Sequence, residues 1–268
     1  MAAVAVVGVL LAPSTSTSAV AVDRTASVEA DDRGDAYVGT GGLILPPGVD
    51  QSIRWSVAAC RDCVWRVTSP CSDSSLGNAF DEQPTCRGMS RGCPDGSMKQ
   101  VWFRPVSGVW RDLGFMCLRD KPTTVADVAQ QIRGRLVHHL PALAPAHLPE
   151  RGIVTQIPVI LSAGQPEGPL SFAWNVMGEP VRVSAMPRWR WSFPDGTFLN
   201  ADEPGRLAPT GGIDHVFRRP GTMLVTCATT WLGEFTVAGL GPFPVGEPIH
   251  QTASVQLAVG EGRALLAP

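Results

Sequence analysis

The chain has 268 residues, with 22 Lys and Arg, 24 Asp and Glu, and a formal net charge of −2. This length suits one or two domains with a substantial hydrophobic core, and the balanced charge gives no electrostatic footprint for nucleic acid or anionic lipid. Because 28 Gly and 24 Pro interrupt helices, the composition excludes a protein built mainly from long helices.

The N-terminus resembles a secretory signal. An apolar run at 2–12 precedes Ala19-Val20-Ala21, which fits an A-x-A cleavage site, so residues 1–21 are predicted to be a signal peptide. The alternative is a disordered apolar N-terminus. Residues 22–52 are predicted to be a flexible linker. No other stretch reaches the ~18 apolar residues that a membrane helix needs, so we predict no transmembrane helix and a secreted or cell-envelope location.

Six of the seven cysteines cluster in one segment, and in an exported chain such a cluster predicts disulfides. Zinc binding and a redox Cys-x2-Cys are the competing interpretations. Zinc is disfavoured because no second Cys-x2-Cys follows, and the redox motif because no thioredoxin-like unit surrounds the first one. The spacing leaves the pairing open. The candidates are Cys60, Cys63, Cys71, Cys86, Cys93 and Cys117.

The cysteines belong to a predicted α+β module over residues 53–140. Residues 98–117 favour two strands around a turn at Pro105–Gly108. One helix is predicted over about 124–140, with a capping box between Thr124 and Asp127 and an end at Pro141. The Pro- and Ala-rich residues 141–151 are predicted to be a hinge. The helix carries one apolar stripe, Val125, Val128, Ala129, Ile132 and Leu136.

The residues after the hinge alternate between apolar and polar with period two. Short extended stretches separated by Gly and Pro turns are typical of an antiparallel β-sandwich, which we predict for residues 152–262, followed by a tail at 263–268. The clearest stretches are 153–161, 170–176, 181–185, 188–193, 216–229 and 254–259.

Two motifs in this region resemble the PKD (polycystic kidney disease) domain. Residues 191–196 read WSFPDG, and residues 215–225 read HVFRRPGTMLV. The family carries W-x-F-G-D-G followed by H-x-Y-x-x-P-G-x-Y-x-V. This sequence departs from that pattern at Pro194, Phe217 and Met223. The wider layout also resembles a family of exported actinobacterial proteins that combine a signal, a Cys-bearing N-terminal part and a PKD-like end.

The resemblance implies an Ig-like sandwich with structural roles for the motif residues. Trp191 and Phe193 would point inward, Asp195 and Gly196 would form a turn, and His215 would pack against or bond to that turn. Pro220 and Gly221 would form the turn before the next strand. Independently, period two places Met223, Val225 and Cys227 on one face, so Cys227 is predicted to be a buried free thiol.

We expect a non-catalytic binding or scaffold protein that contacts a protein or carbohydrate at the cell surface, with no cofactor, metal or nucleic acid. Exposed aromatic side chains suit such contacts. Residues 231–243 are predicted to form an exposed lobe, unless they cover one end of the sandwich. The alternatives are an exported hydrolase with a PKD-like accessory domain and a subunit of an envelope secretion or pilus-like assembly. The candidate contact residues are Trp174, Trp231, Phe235 and Phe243.

Overall fold

The computed structural model describes residues 27–30, 36–70, 92–94, 96–119, 121–207 and 212–262. Within these residues the chain is mainly β, with two helices rather than the one predicted. Its elements are β1 (Val28–Ala30), β2 (Ala36–Thr40), α1 (Gln51–Ala58), β3 (Val64–Thr68), β4 (Ser97–Arg104), β5 (Arg111–Leu118), α2 (Val125–His139), β6 (Ala146–Leu148), β7 (Ile153–Val154), β8 (Pro158–Ser162), β9 (Leu170–Val176), β10 (Glu179–Ser192), β11 (Phe198–Ala201), β12 (Ile213–Val216), β13 (Gly221–Val237), β14 (Leu240–Pro244) and β15 (Ile249–Gly260). Neither helix in this part of the chain is long and apolar enough to cross a membrane.

The first five strands form one antiparallel sheet in the order β1-β2-β3-β4-β5. Its core centres on the fully buried indole of Trp65. Gly39 allows this packing, because a Cβ there would lie 2.2 Å from the Trp65 ring. The predicted hairpin around Pro105–Gly108 is confirmed as β4–β5. The predicted linker at 22–52 is wrong over its described residues, since β1, β2 and the start of α1 lie there.

Two disulfides form in this part of the molecule, Cys60–Cys63 and Cys93–Cys117. They confirm the disulfide interpretation for these four cysteines and remove them as zinc ligands. Cys71 and Cys86 lie outside the described residues. The Cys60–Cys63 disulfide follows the C-terminal end of α1. A redox-active cysteine usually lies at a helix N-terminus, which lowers its pKa, so this position does not favour the redox interpretation.

Helix α2 begins where the sequence predicts. The Thr124 hydroxyl accepts a hydrogen bond from the Asp127 amide, and the Asp127 carboxylate accepts one from the Thr124 amide. Val128, Ile132 and Leu136 are buried, as the apolar stripe indicates. The helix therefore presents one apolar face to the β-strands that follow it.

The largest sheet has seven strands and is built on β10 and β13, with 14 and 17 residues. At ~3.3 Å per residue, β13 spans about 55 Å. The predicted stretches 181–185 and 188–193 are one continuous strand, β10. Pro187 lies where β10 passes from pairing with β9 to pairing with β11, so its missing N–H interrupts neither ladder.

One half of this sheet is covered by a second, three-stranded sheet in the order β12-β8-β6. Val159 and Leu161 of β8 pack against Trp189, Trp191 and other inward residues of the long strands. This pair of layers confirms the predicted antiparallel β-sandwich. The predicted hinge at 141–151 is wrong, because β6 lies within it and pairs with β8.

The other half of the long sheet is covered by α2. Leu136 and its apolar neighbours on the helix pack against Val181, Val183, Trp231 and Phe235. Helix and strand approach closely at Gly233, where a Cβ would lie 2.9 Å from Val245 and 3.4 Å from Leu136. The same strands thus pass from a sheet-covered core to a helix-covered core.

A buried side-chain network lies where the two cores meet. Gln165, only 7% exposed, is in the loop between β8 and β9. Its Oε1 accepts hydrogen bonds from Trp189 Nε1 and Thr229 Oγ1, both at 2.8 Å. Its Nε2 donates to the Pro141 carbonyl at 2.9 Å and to Gln251 Oε1 at 2.7 Å. All four bonds that this amide can make are therefore formed.

Replacing this amide should destabilise the protein strongly. Gln165→Leu would leave the Trp189 N–H and the Thr229 hydroxyl buried without a partner, and we expect the free energy of unfolding to fall by about 3 kcal/mol. Denaturant unfolding should show a lower midpoint at an unchanged slope. The control Gln256→Leu, at an exposed position of β15, should change stability by less than about 0.5 kcal/mol. Equal effects of the two substitutions would contradict the assigned role.

Candidate functional site

The motif residues of the sandwich form a structural turn. Trp191 and Phe193 are buried, as predicted. The Asp195 carboxylate accepts hydrogen bonds from the Thr197 amide at 2.9 Å and the Thr197 hydroxyl at 2.6 Å. Gly196 adopts a positive φ of 85°, which a glycine tolerates best. The hydrogen bonds from Thr197 hold the pKa of Asp195 below its ordinary value.

His215 packs on this turn. Its ring stacks on Phe193 at a centroid distance of 3.7 Å and meets Phe217 edge-on at 4.8 Å. Its Nε2 lies 3.3 Å from Asp195 Oδ2. Burial lowers the pKa of His215, while the nearby Asp195 and Asp214 carboxylates partly oppose that shift. The geometry confirms the predicted packing role of His215.

The strand that follows begins at the predicted turn. Gly221, just after Pro220, has a φ of 135° and is the first residue of β13. Six residues later Cys227 is a buried free thiol, as predicted. Burial raises its pKa to about 12, so the thiolate needed for nucleophilic or metal chemistry does not form near neutral pH.

Three of the four candidate contact residues belong to the core. Trp231, Phe235 and Phe243 are 1%, 1% and 6% exposed, so the prediction that they contact a partner is wrong. Residues 231–243 do form a hairpin of β13 and β14, but α2 covers it. The alternation of β13 could have revealed this, because Trp231 and Phe235 share the face of the buried Cys227.

Trp174 is the candidate that remains partly accessible. It lies on β9 in an aromatic cluster with Phe172, stacked at 5.1 Å, and His139, at 5.4 Å. The Arg135 guanidinium lies 6.0 Å from the centre of its ring, and Arg135 also donates to the Asn175 carbonyl at 3.0 Å. These contacts fix the orientation of the indole and leave part of its surface to solvent.

One side of the long sheet faces away from both of the cores that the sheet borders, and we name it the outer face. The even-numbered residues of β10 are all exposed and point to this side, while the odd-numbered residues from Val181 to Trp191 are buried. Among the described residues no element covers it. Its exposed members on the central strands include Arg182, Ser184, Met186, Arg188 and Arg190 on β10, and Leu224, Leu232 and Glu234 on β13.

The outer face carries both basic and apolar side chains. Met186 and Leu232 are direct cross-strand partners, 42% and 48% exposed. Arg188 pairs with Asp202, and Arg190 lies over the ring of Phe198 at 4.4 Å. Sequence reasoning missed this surface because it searched for aromatic side chains, although the alternation of β10 already separated the arginines from the core.

A smaller groove of about 590 Å³ lies between α1 and the β13–β14 turn, bordered by Asp50, Trp55 and Leu240. Trp55 stacks there on Phe243 at 5.6 Å. The Asp50 carboxylate caps α1, and its bonds to Ser52 hold its pKa below the ordinary value. Within the described ranges, no three His, Cys, Asp or Glu side chains are grouped so that they could hold a metal ion.

Comparison with known proteins adds no relative. No family model matches the chain, and neither a curated protein nor a solved structure matches it.

The burial of His215 predicts a loss of stability in mild acid. The pKa of His215 is lower in the folded than in the unfolded chain. Its contribution to the free energy of unfolding is therefore fully present above about pH 6.5 and falls at lower pH, where the unfolded chain takes up the proton. His215→Phe keeps a ring on Phe193, and its free energy of unfolding should fall less between about pH 6.5 and 5. The exposed control His138→Phe should keep the wild-type pH dependence in the same denaturation series. A wild-type pH dependence in His215→Phe would contradict this role of His215.

Proposed function

We propose that this chain is a secreted or cell-envelope binding protein without catalytic activity, and that the outer face binds a protein partner. The observation that carries the proposal is the exposed, directly paired Met186 and Leu232 on the uncovered outer face, with Arg182, Arg188 and Arg190 on the same side of β10. A surface of this kind suits a partner that is apolar at the centre of the contact and acidic around it. The two disulfides support an oxidising compartment.

A carbohydrate is the second candidate ligand, and the Trp174 cluster supports it. Stacked rings offer a flat apolar surface at little entropic cost, and His139 and Arg135 add hydrogen-bond donors beside them. The test is sedimentation with insoluble cell-wall polysaccharide. Loss of sedimentation in Trp174→Ala, but not in the outer-face variant Leu232→Asp, would assign the ligand to this cluster.

The proposed protein contact can be tested in cells that export the full chain. A photo-activated cross-linking residue at position 184, beside Met186, should form one dominant adduct with another protein. Met186→Asp or Leu232→Asp should remove the adduct, since each puts a negative charge where an acidic partner docks. The control Val137→Asp, exposed on α2, should leave it intact. An adduct that survives both outer-face substitutions would contradict the proposal.

The proposed export can be tested by mass spectrometry of the exported protein without reduction. We expect an N-terminus at Val22, three disulfides and one thiol, which alkylates only after denaturation because Cys227 is buried. The control is the same protein after reduction, with seven alkylated cysteines. Seven free thiols before reduction would contradict export to an oxidising compartment.

A further inference from the structure

The tip of the β4–β5 hairpin exposes apolar side chains that belong to none of the three cores. We name residues 104–111, with the sequence RPVSGVWR, the hairpin tip. Val106 is 72% exposed, Val109 77% and Trp110 41%. The two valines are the most exposed large hydrophobic side chains of the described residues. Folding leaves these groups in water, although burying them would be favourable.

The turn itself is well formed. The Gly108 amide donates to the Pro105 carbonyl at 3.0 Å, and the strands pair up to Phe103 and Arg111. A hydrogen-bonded turn between paired strands holds the apolar side chains at the end of a defined hairpin. The exposure of Val106 and Val109 is therefore a property of the folded hairpin.

Arginines flank the apolar residues. The Arg104 guanidinium carbon lies 5.0 Å from the centre of the Trp110 ring, and Arg111 is exposed. The hairpin tip contains no acidic residue. The next one, Asp112, already accepts hydrogen bonds from Gly114 N at 2.8 Å and Gln100 Nε2 at 3.1 Å. The tip thus carries local positive charge that the net charge of the whole chain conceals.

Exposed apolar side chains flanked by arginines indicate which kind of partner the hairpin tip binds. Val106 and Val109 lie in the hairpin turn, beyond the last residues at which β4 pairs with β3 and β5. A protein partner would need a cavity that matches them, whereas a lipid bilayer receives exposed apolar side chains without one. Trp favours the boundary between headgroups and acyl chains, and Arg favours anionic headgroups. We propose that the hairpin tip docks the protein on an anionic lipid surface, with Val106, Val109 and Trp110 inserted and Arg104 and Arg111 on the headgroups.

The proposal uses a surface separate from the outer face, so it does not rest on the proposed protein contact. The test is co-sedimentation of the exported protein with vesicles of phosphatidylcholine and phosphatidylglycerol in equal parts, and with vesicles of phosphatidylcholine alone. We expect tighter binding to the anionic vesicles. The double variant Arg104→Gln, Arg111→Gln should bind them about 30-fold more weakly, at roughly one kcal/mol for each basic residue near the surface.

The apolar contribution is tested with a second variant. Val106→Asp combined with Val109→Asp should abolish sedimentation with either vesicle. Both side chains are exposed, so its thermal unfolding should match the wild type. The matched control is Ile157→Asp, at an exposed position between β7 and β8, which should bind like the wild type. Absence of wild-type binding, or wild-type binding by the double valine variant, would overturn the proposal. Equal wild-type binding to both vesicle types would overturn the role of the arginines.

Discussion

The side-chain amide of Gln165 is the interaction on which the arrangement of this protein depends. It bonds β10 through Trp189, β13 through Thr229 and the end of α2 through the Pro141 carbonyl. In a buried environment an unpaired donor or acceptor is costly, so only the arrangement that satisfies all of them is stable. Apolar packing alone is not directional and would allow the helix to slide along the sheet. The hydrogen bonds of the Gln165 amide fix the position of the helix relative to the sheet, at the point where the sheet passes from one core to the other.

The N-terminal part has its own core around Trp65 and also contributes side chains to the core beneath α2. Ile44 and Ala58 pack in the same cluster as α2 and Trp231. The buried Arg54 guanidinium donates to the Leu45 carbonyl at 3.2 Å and to the Ala238 carbonyl in the β13–β14 turn at 3.1 Å. The predicted boundary at 141–151 therefore falls between two strongly bonded segments. Proline and alanine in that stretch resemble a linker, but the Pro141 carbonyl accepts two hydrogen bonds there.

Local rules predicted the elements whose stability is local. The capping box at Thr124, the β4–β5 hairpin and the turn at Asp195 all depend on residues close in sequence. Features that depend on distant partners were missed. The partners of Gln165 lie at positions 141, 189, 229 and 251, and nothing in a single sequence joins them. The exposure of Trp231 was misjudged for a different reason, because the alternation that places Cys227 in the core also places Trp231 there.

The residues of the WSFPDG and HVFRRPGTMLV motifs contribute to folding, whereas the two proposed binding surfaces carry neither motif. The side chains of Trp191, Phe193 and His215 pack against their neighbours at the sandwich end of the sheet. The outer face carries its exposed apolar groups, among them Met186 and Leu232, on the same side of the sheet as the arginines of β10. The hairpin tip places its exposed apolar side chains close together in one turn. The two proposed binding surfaces therefore consist of exposed side chains that can change without disturbing the cores, and the motifs do not define them.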